Sequence, residues 1–224
     1  MKELALSKRL SAAASFVSDG AIVADIGTDH AYIPINLILS GKASYAIASD
    51  VNEGPIAIAK ENIEKYGVAD KITVRVANGL DGIEQYKPDN ILICGMGGEL
   101  IVNILKASEY IKNSSVKLIL QPMTSIKELR EYLSDGFLIT NEEIVYEASK
   151  LYQIICAQYD GISREYTNTE LELGKINIKK RAPLFKDLLC QLIKKRKKRL
   201  NGLKEGGYST YEIENEIKEL EGML

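Results

Sequence analysis

Two acids and a glycine stand where an α/β protein could bind a nucleotide-like ligand. The apolar run that begins at Val23 ends in Asp25 and Gly27, and helix-forming residues follow, so it predicts a strand leading into a helix. About 25 residues later a second apolar run ends in Asp50, whose carboxylate could accept both hydroxyls of a ribose. Asp25 could bind an ammonium group, and Gly27 lets the backbone approach a ligand. Together these residues indicate an adenosyl cofactor.

The turn after the first strand lacks the glycine pattern of dinucleotide-binding proteins. Asp29 and Ala31 stand where the second glycine of G-x-G-x-x-G and its successor are expected. A carboxylate facing a pyrophosphate would be repelled by it. NAD and FAD are therefore disfavoured, and a cofactor without phosphates is favoured.

Two further glycine-containing turns follow predicted strands. Asn78 and Gly79 come after the third strand, where the Asn78 amide could contact an adenine ring, and Gly95 comes after the fourth. Taken alone, Asn78-Gly79 favours an ordinary turn. Its place after the third strand, with Asp50 after the second and Gly27 after the first, puts it at the sheet edge that ligands use.

The elements that must position these residues alternate as in a doubly wound α/β sheet. Strands are predicted at 22–26, 45–49, 72–76, 90–94 and 116–120, and helices at 6–17, 32–39, 55–66, 99–107 and 125–133. The runs 137–146 and 151–159 have no helix between them, which indicates an antiparallel hairpin at the sheet edge. This order resembles the Rossmann-like class I methyltransferase fold, with seven strands of which the last is antiparallel.

The sequence changes character after residue 161. Apolar residues recur at helical spacing from Leu184 to Leu203 and again from Ile213 to Leu224, with a Gly-Gly turn between the two stretches. We expect a methyltransferase-like domain over 1–161 and an antiparallel coiled-coil domain over 162–224.

Charge is distributed unevenly along the chain. The formal net charge is −2, yet residues 1–162 carry 15 basic and 21 acidic side chains, whereas residues 163–224 carry 14 and 10. Twelve basic residues between Lys175 and Lys204 are opposed by Asp187 alone, and six of them form the run from Lys194 to Arg199. A basic helical arm suits a polyanionic partner, although a solvated helix face has the same composition.

Other features narrow the class of protein. No apolar run is long enough to cross a bilayer, and the start of the chain carries no signal-peptide pattern, so a cytoplasmic protein is expected. Three scattered cysteines and one histidine predict no metal site. Cys94 and Cys156 are interpreted as buried strand residues.

Five short sequence motifs resemble those of a particular protein family. They are Leu6-Ser-Lys-Arg-Leu10, Asp25-Ile-Gly-Thr-Asp-His-Ala-Tyr32, Ala77-Asn-Gly79, Gly95-Met-Gly-Gly98 and Gln121-Pro122. They resemble the bacterial tRNA (adenine-22-N1)-methyltransferase family, and the resemblance covers the whole chain, including the helical domain. It implies S-adenosylmethionine as cofactor, tRNA as substrate, and a monomer or weak homodimer.

The resemblance also implies roles for individual residues. Asp29 is the catalytic candidate, because a carboxylate could stabilise the charge of the methylated adenine and take up its proton, although it could equally cap a helix or order the cofactor. The implied cofactor-binding residues are Asp25, Gly27, His30, Asp50, Asn78, Gly79 and Gly95. The implied substrate-binding residues are Arg9, Tyr32, Lys194, Lys195, Arg196, Lys198 and Arg199.

Several alternatives stay open from sequence alone. His30 could act as a base but is favoured as a pocket residue, Tyr32 could belong to the core, and Arg9 could form a surface salt bridge or meet the cofactor's carboxylate. The protein could also methylate a small molecule or a protein and use its arm to dimerise. A non-catalytic RNA-binding module is disfavoured by the intact cofactor residues.

Overall fold

The computed structural model describes residues 4–224, which form one mixed β-sheet flanked by α-helices. The strands are β1 (Ala21–Ile26), β2 (Ala43–Asp50), β3 (Ile72–Val76), β4 (Asn90–Gly97), β5 (Lys117–Thr124), β6 (Asp135–Glu147) and β7 (Lys150–Ser163). The helices are α1 (Lys8–Ser15), α2 (Tyr32–Leu39), α3 (Glu53–Tyr66), α4 (Gly98–Lys106), α5 (Ile126–Ser134), α6 (Asn168–Leu173), α7 (Lys175–Lys180), α8 (Phe185–Glu205) and α9 (Tyr211–Glu221).

The strand order is β3-β2-β1-β4-β5-β7-β6. Strands β1 to β5 are parallel to one another, and β7 runs antiparallel to both β5 and β6. The predicted class I methyltransferase sheet and its antiparallel hairpin are therefore confirmed.

Both faces of the sheet are covered, which explains why its central strands are almost uniformly apolar. Alternate residues of a strand point to opposite faces, so Val23 and Leu92 pack into one core and Ala24 and Ile91 into the other. Residues of α1, α2 and α3 lie in the first core, and residues of α4 and α5 lie in the second.

The strand order reverses direction at β1, which lies between β2 and β4. The connection from β1 to β2 crosses one face of the sheet, and helix α4 after β4 packs on the other face. The loops that leave β1 and β4 consequently diverge and open a crevice at the carboxyl edge, where open α/β sheets bind ligands.

Element boundaries differ from the sequence expectations in several places. Strands β2, β4 and β5 continue to Asp50, Gly97 and Thr124, so the expected turn residues Asp50 and Gly95 belong to strand ends. The short helices α6 and α7 were not anticipated, because six-residue helices separated by Gly174 give too short a pattern to recognise.

The last two helices pack against each other as an antiparallel pair. Lys197 bonds to Glu221 and Lys204 bonds to Glu214, so the chain directions are opposed. Leu189, Ile193 and Leu220 join a third apolar cluster that also contains Ile144 of β6. Among residues 4–224, none of the helices is both long and apolar enough to span a membrane.

Candidate active site

A cavity of about 310 Å³ opens at the carboxyl ends of β1, β2 and β4, beneath helix α1. Its walls contain seven of the residues singled out from sequence, namely Arg9, Asp25, Gly27, Asp29, Tyr32, Asp50 and Gly95. Leu10, Ile33, Cys94 and Met96 complete the lining. His30, Asn78 and Gly79 lie outside these walls, and so do the basic residues of α8.

Asp25 is the buried acid of the cavity, with 5% of its surface exposed. Burial raises the pKa of its carboxyl to about 6; the Thr28 hydroxyl, which donates to Oδ2 at 2.6 Å, opposes this rise, and the charge of Asp50 adds to it. Within residues 4–224 no basic side chain forms an ion pair with Asp25. A buried carboxylate without a counter-charge is a suitable partner for a ligand's ammonium group.

The loop after β1 needs glycine at position 27. Gly27 has a φ of +74°, and a Cβ there would lie 2.0 Å from the Cε of Met96. The backbone amides of Gly27 and Thr28 both donate to the Ser49 carbonyl at 2.8 Å, which ties the loop to β2. The Met96 side chain thus lies directly over the glycine, and a larger residue would have to displace it.

Two consecutive non-glycine residues in this loop have left-handed backbone conformations. They are His30, with φ of 64°, and Ala31, with φ of 58°. Such residues cost about 1–3 kcal/mol each and concentrate at functional sites. The Nε2 of His30 lies 3.0 Å from Oδ1 of Asp29, whose side chain is 81% exposed. The His30 ring also lies 5.5 Å from that of Tyr32, so it borders the cavity mouth through its two neighbours.

Asp50 connects the cavity to the loop after β3. Its Oδ1 accepts a hydrogen bond from the Asn52 amide at 2.8 Å, and its carbonyl accepts one from the Ala77 amide at 3.0 Å. Asn78 is exposed, and Gly79 has a φ of +58° and would touch Ile104 if it carried a Cβ. The Asn78-Gly79 turn therefore adjoins Asp50 without forming a wall of the cavity.

The sequence did not reveal a hydrogen-bond network that holds Arg9 over the cavity. The side-chain oxygen of the fully buried Gln121 accepts bonds from the Arg9 guanidinium and from the Gly95 amide, the latter at 3.2 Å. The Arg9 amide donates to Glu147 at 2.8 Å, and its guanidinium lies 5.6 Å from the centre of the Tyr152 ring. The Gln121-Pro122 motif was noted from the sequence, but the residues that Gln121 contacts could not be predicted because they are distant in sequence.

The apolar lining was also missed, because single apolar residues at strand ends carry no distinctive signal. Cys156 is buried as expected. Cys94 lies in β4 as expected, but it is only partly buried and lines the cavity, so the expectation that it is buried was wrong. Within residues 4–224, no group of three or more His, Cys, Asp or Glu residues could hold a metal ion.

The basic run on α8 is divided between two faces of the helix. Arg196 is 13% exposed, and its guanidinium bonds to Glu172 and Glu216 at 2.6 Å. Lys194, Lys195, Lys198 and Arg199 are exposed and form no ion pair with residues 4–224. These four, called the basic face below, have the i, i+1, i+4, i+5 spacing of one side of a helix.

Comparison with known proteins agrees with this geometry. Residues 6–155 match a protein-family model described as a methyltransferase domain. The tRNA (adenine(22)-N(1))-methyltransferase of Bacillus subtilis is 42% identical over 171 residues, which are 73% of this chain and 72% of that protein. The chain belongs to the tRNA (adenine(22)-N(1))-methyltransferase family.

Solved structures from this family share the fold over nearly the full chain. A Streptococcus pneumoniae protein in complex with S-adenosyl-L-methionine is 37% identical with a TM-score of 0.85, covering 98% of this chain and 100% of that one. M. capricolum TrmK in complex with S-adenosyl-homocysteine is 31% identical with a TM-score of 0.81, covering 97% and 96%. The resemblance stated from sequence is thereby confirmed.

Proposed function

We propose that the protein transfers a methyl group from S-adenosylmethionine to N1 of the adenine at position 22 of tRNA. The observation that carries the proposal is the cavity itself, in which Asp25 and Asp50 meet at the point where the strand order reverses. Family membership supports the choice of cofactor and substrate.

The residues of the cavity fit this cofactor. Asp25 binds its ammonium group, which supplies the missing counter-charge to the buried carboxylate, and the free oxygen of Asp50 accepts the ribose hydroxyls. Gly27 and Gly95 let the backbone approach, Asn78 and Gly79 flank the adenine end, and His30 closes the mouth from outside the wall. When bound, the cofactor supplies an electrophilic methyl group.

Asp29 acts on the target base. The N1 lone pair of adenine forms the new bond to the methyl carbon, the carbon–sulfur bond breaks with its electrons moving to sulfur, and the base becomes positively charged. The Asp29 carboxylate, held by His30 at the mouth of the cavity, stabilises this charge and accepts the proton that the product releases. Tyr32, exposed on the wall, stacks on the adenine ring.

Phosphate contacts come from the helical arm and from α1. The four residues of the basic face bind tRNA phosphates, and Arg9 meets a phosphate or the cofactor's carboxylate. Arg196 holds α8 to its neighbours instead, since both Glu172 and Glu216 occupy its guanidinium. Residues 1–161 thus form the catalytic domain and 162–224 a coiled-coil domain that binds tRNA, in a cytoplasmic monomer or weak homodimer.

Labelled S-adenosylmethionine and unmodified bulk tRNA test the reaction. We expect 1-methyladenosine in tRNA digests examined by mass spectrometry, mapped to position 22. Methylation of a small molecule or a protein, with no incorporation into tRNA, would refute the proposed substrate and favour an arm used for dimerisation.

A matched pair of variants tests the basic face. K194Q/K198Q removes two exposed cations, whereas K197Q/K204Q removes two that are paired with Glu221 and Glu214. We expect the first pair to lower tRNA affinity and to reduce the slope of log affinity against log salt by about 0.7–0.9 for each phosphate that is no longer neutralised. The second pair should change the slope less. Equal slopes for both variants and the wild type would place RNA recognition elsewhere.

A further inference from the structure

A fully buried ion pair lies outside the proposed active site. Arg130 of α5 and Glu142 of β6 have no exposed side-chain surface, and Oε1 of Glu142 lies 2.7 Å from Nη2 and 2.8 Å from Nε of Arg130. Desolvation offsets much of the attraction within such pairs, so stability alone does not explain them. The backbone groups that the two side chains contact indicate a positioning role.

Both charges bind the backbone of α6 and α7, the two short helices that precede the arm formed by α8 and α9. The Nη1 of Arg130 donates to the carbonyls of Leu171 and Glu172, at the end of α6, at 2.8 and 3.1 Å. The Oε2 of Glu142 accepts from the amide of Ile176, in the first turn of α7, at 2.9 Å. The pair therefore ties the α6–α7 turn to the catalytic sheet from both sides.

Gly174, between α6 and α7, makes this close approach possible. Its φ is +88°, and a Cβ there would lie 2.4 Å from each carboxylate oxygen of Glu142. Because Glu142 is held by Arg130 and by backbone amides, it could not move aside without breaking these bonds. A side chain at position 174 would push the turn away from the sheet.

The connections continue from the turn into the arm. Glu172 of α6 presents both carboxylate oxygens to Arg196 of α8 at 2.6 Å, and Arg196 also bonds to Glu216 of α9. Leu173 and Phe185 pack beside them against Ile144 of β6. An unbroken series of ion pairs and hydrogen bonds thus runs from β6 to α9.

We propose that Arg130, Glu142, Glu172, Gly174 and Arg196 form a rigid joint that fixes the basic face relative to the cavity and so selects which nucleotide of tRNA reaches Asp29. The inference rests on the proposed function. Phosphate contacts carry no sequence information, but they fix the position of the tRNA on the protein. A fixed distance between the basic face and the cavity therefore determines which nucleotide enters the cavity. These five are positioning residues that touch neither cofactor nor base.

Three variants separate this role from general stability. G174A wedges the turn away from Glu142, and E172A cuts the connection to Arg196 at a partly exposed position without leaving a buried charge. E221A is the matched control, because it also removes a glutamate that pairs with a cation of α8, Lys197, but within the arm alone. E172A keeps the test decisive if G174A folds poorly.

Electron paramagnetic resonance measures the joint directly. Spin labels on the exposed Cys190 of α8 and on an introduced D70C beyond α3 report the distance between arm and sheet, in a C94A background that removes the other accessible thiol. We expect a narrow distance distribution for the parent and for E221A. G174A and E172A should broaden or shift it.

Kinetics with native cysteines measure the consequence for the reaction. We expect G174A and E172A to bind S-adenosylmethionine as the parent does and to bind tRNA within about threefold, since the cavity and the basic face are intact. Their kcat on tRNA should fall about tenfold or more, because small displacements of a reacting group are costly. E221A should keep the parental kcat.

The outcomes are distinguishable. Unchanged distances in both joint variants, or altered distances with parental kcat and methylation at the same nucleotide, would overturn the joint's role while leaving the proposed function intact. A fall in tRNA affinity that fully accounts for the lower rate would also overturn it. If the parent transfers no methyl group to tRNA, the proposed function itself fails, and the selection of a nucleotide fails with it.

Discussion

Replacing Asp25 by asparagine should stabilise the protein while weakening its cofactor binding. The folded-state pKa of Asp25 is about 6, compared with an ordinary 3.8, and burial is the main cause. A rise of about two units corresponds to roughly 3 kcal/mol of unfavourable free energy whenever the carboxyl is ionised in the folded state. Asparagine keeps the shape and can still accept the Thr28 hydrogen bond, but it carries no charge.

The sign of the pH dependence follows from proton binding. Between about pH 4 and pH 6 the folded protein holds a proton on Asp25 that the unfolded chain has lost, so the parent's free energy of unfolding falls as the pH rises. Well above pH 6 the penalty is fully present. D25N escapes it, so we expect its advantage over the parent to be about 2.4 kcal/mol larger at pH 8 than at pH 4, where the unfolded carboxyl is already partly ionised.

Urea denaturation of both proteins without cofactor, at the two pH values, measures this double difference, and the contributions of titrating groups that do not interact with Asp25 cancel. Calorimetry provides the functional half, since S-adenosylmethionine should bind D25N much more weakly. Parental affinity should also drop below pH 6, where Asp25 is protonated. A double difference near zero would refute the claim that this site is strained by an uncompensated charge.

Three further substitutions test other parts of the cavity. D50A should weaken S-adenosylmethionine binding by about 2–3 kcal/mol for the removal of a charge-assisted hydrogen bond, and unchanged affinity in calorimetry would contradict the assignment. D29A should keep cofactor and tRNA affinity and lose about 100-fold in turnover in methyl-transfer assays; a parallel loss of cofactor affinity would instead make Asp29 a cofactor ligand. Q121L leaves the Gly95 amide and the Arg9 guanidinium without their acceptor and should cost about 1–3 kcal/mol in urea denaturation, so parental stability would show that water replaces it.

The sheet and the central residues of the site could be predicted from the amino-acid pattern. Burial gives strands and helices each a characteristic spacing of apolar residues, and this spacing is visible within about five to ten residues. Asp25, Gly27 and Asp50 could be placed together because parallel strands bring their carboxyl ends to one edge whatever their separation along the chain. Residues at the carboxyl ends of parallel strands can therefore be assigned to one site before their side-chain packing is known.

Contacts between side chains that are distant in sequence could not be predicted and are visible only in the folded protein. Arg9 and Gln121 are 112 residues apart, and no local pattern encodes the hydrogen bond that joins them. The run from Lys194 to Arg199 looked uniform in sequence, yet Arg196 is occupied by Glu172 and Glu216 while its neighbours are exposed. Composition gives the number of charges, but the partners that each charge meets depend on how α6, α8 and α9 pack, because an ion pair forms only where folding brings both groups within a few ångströms.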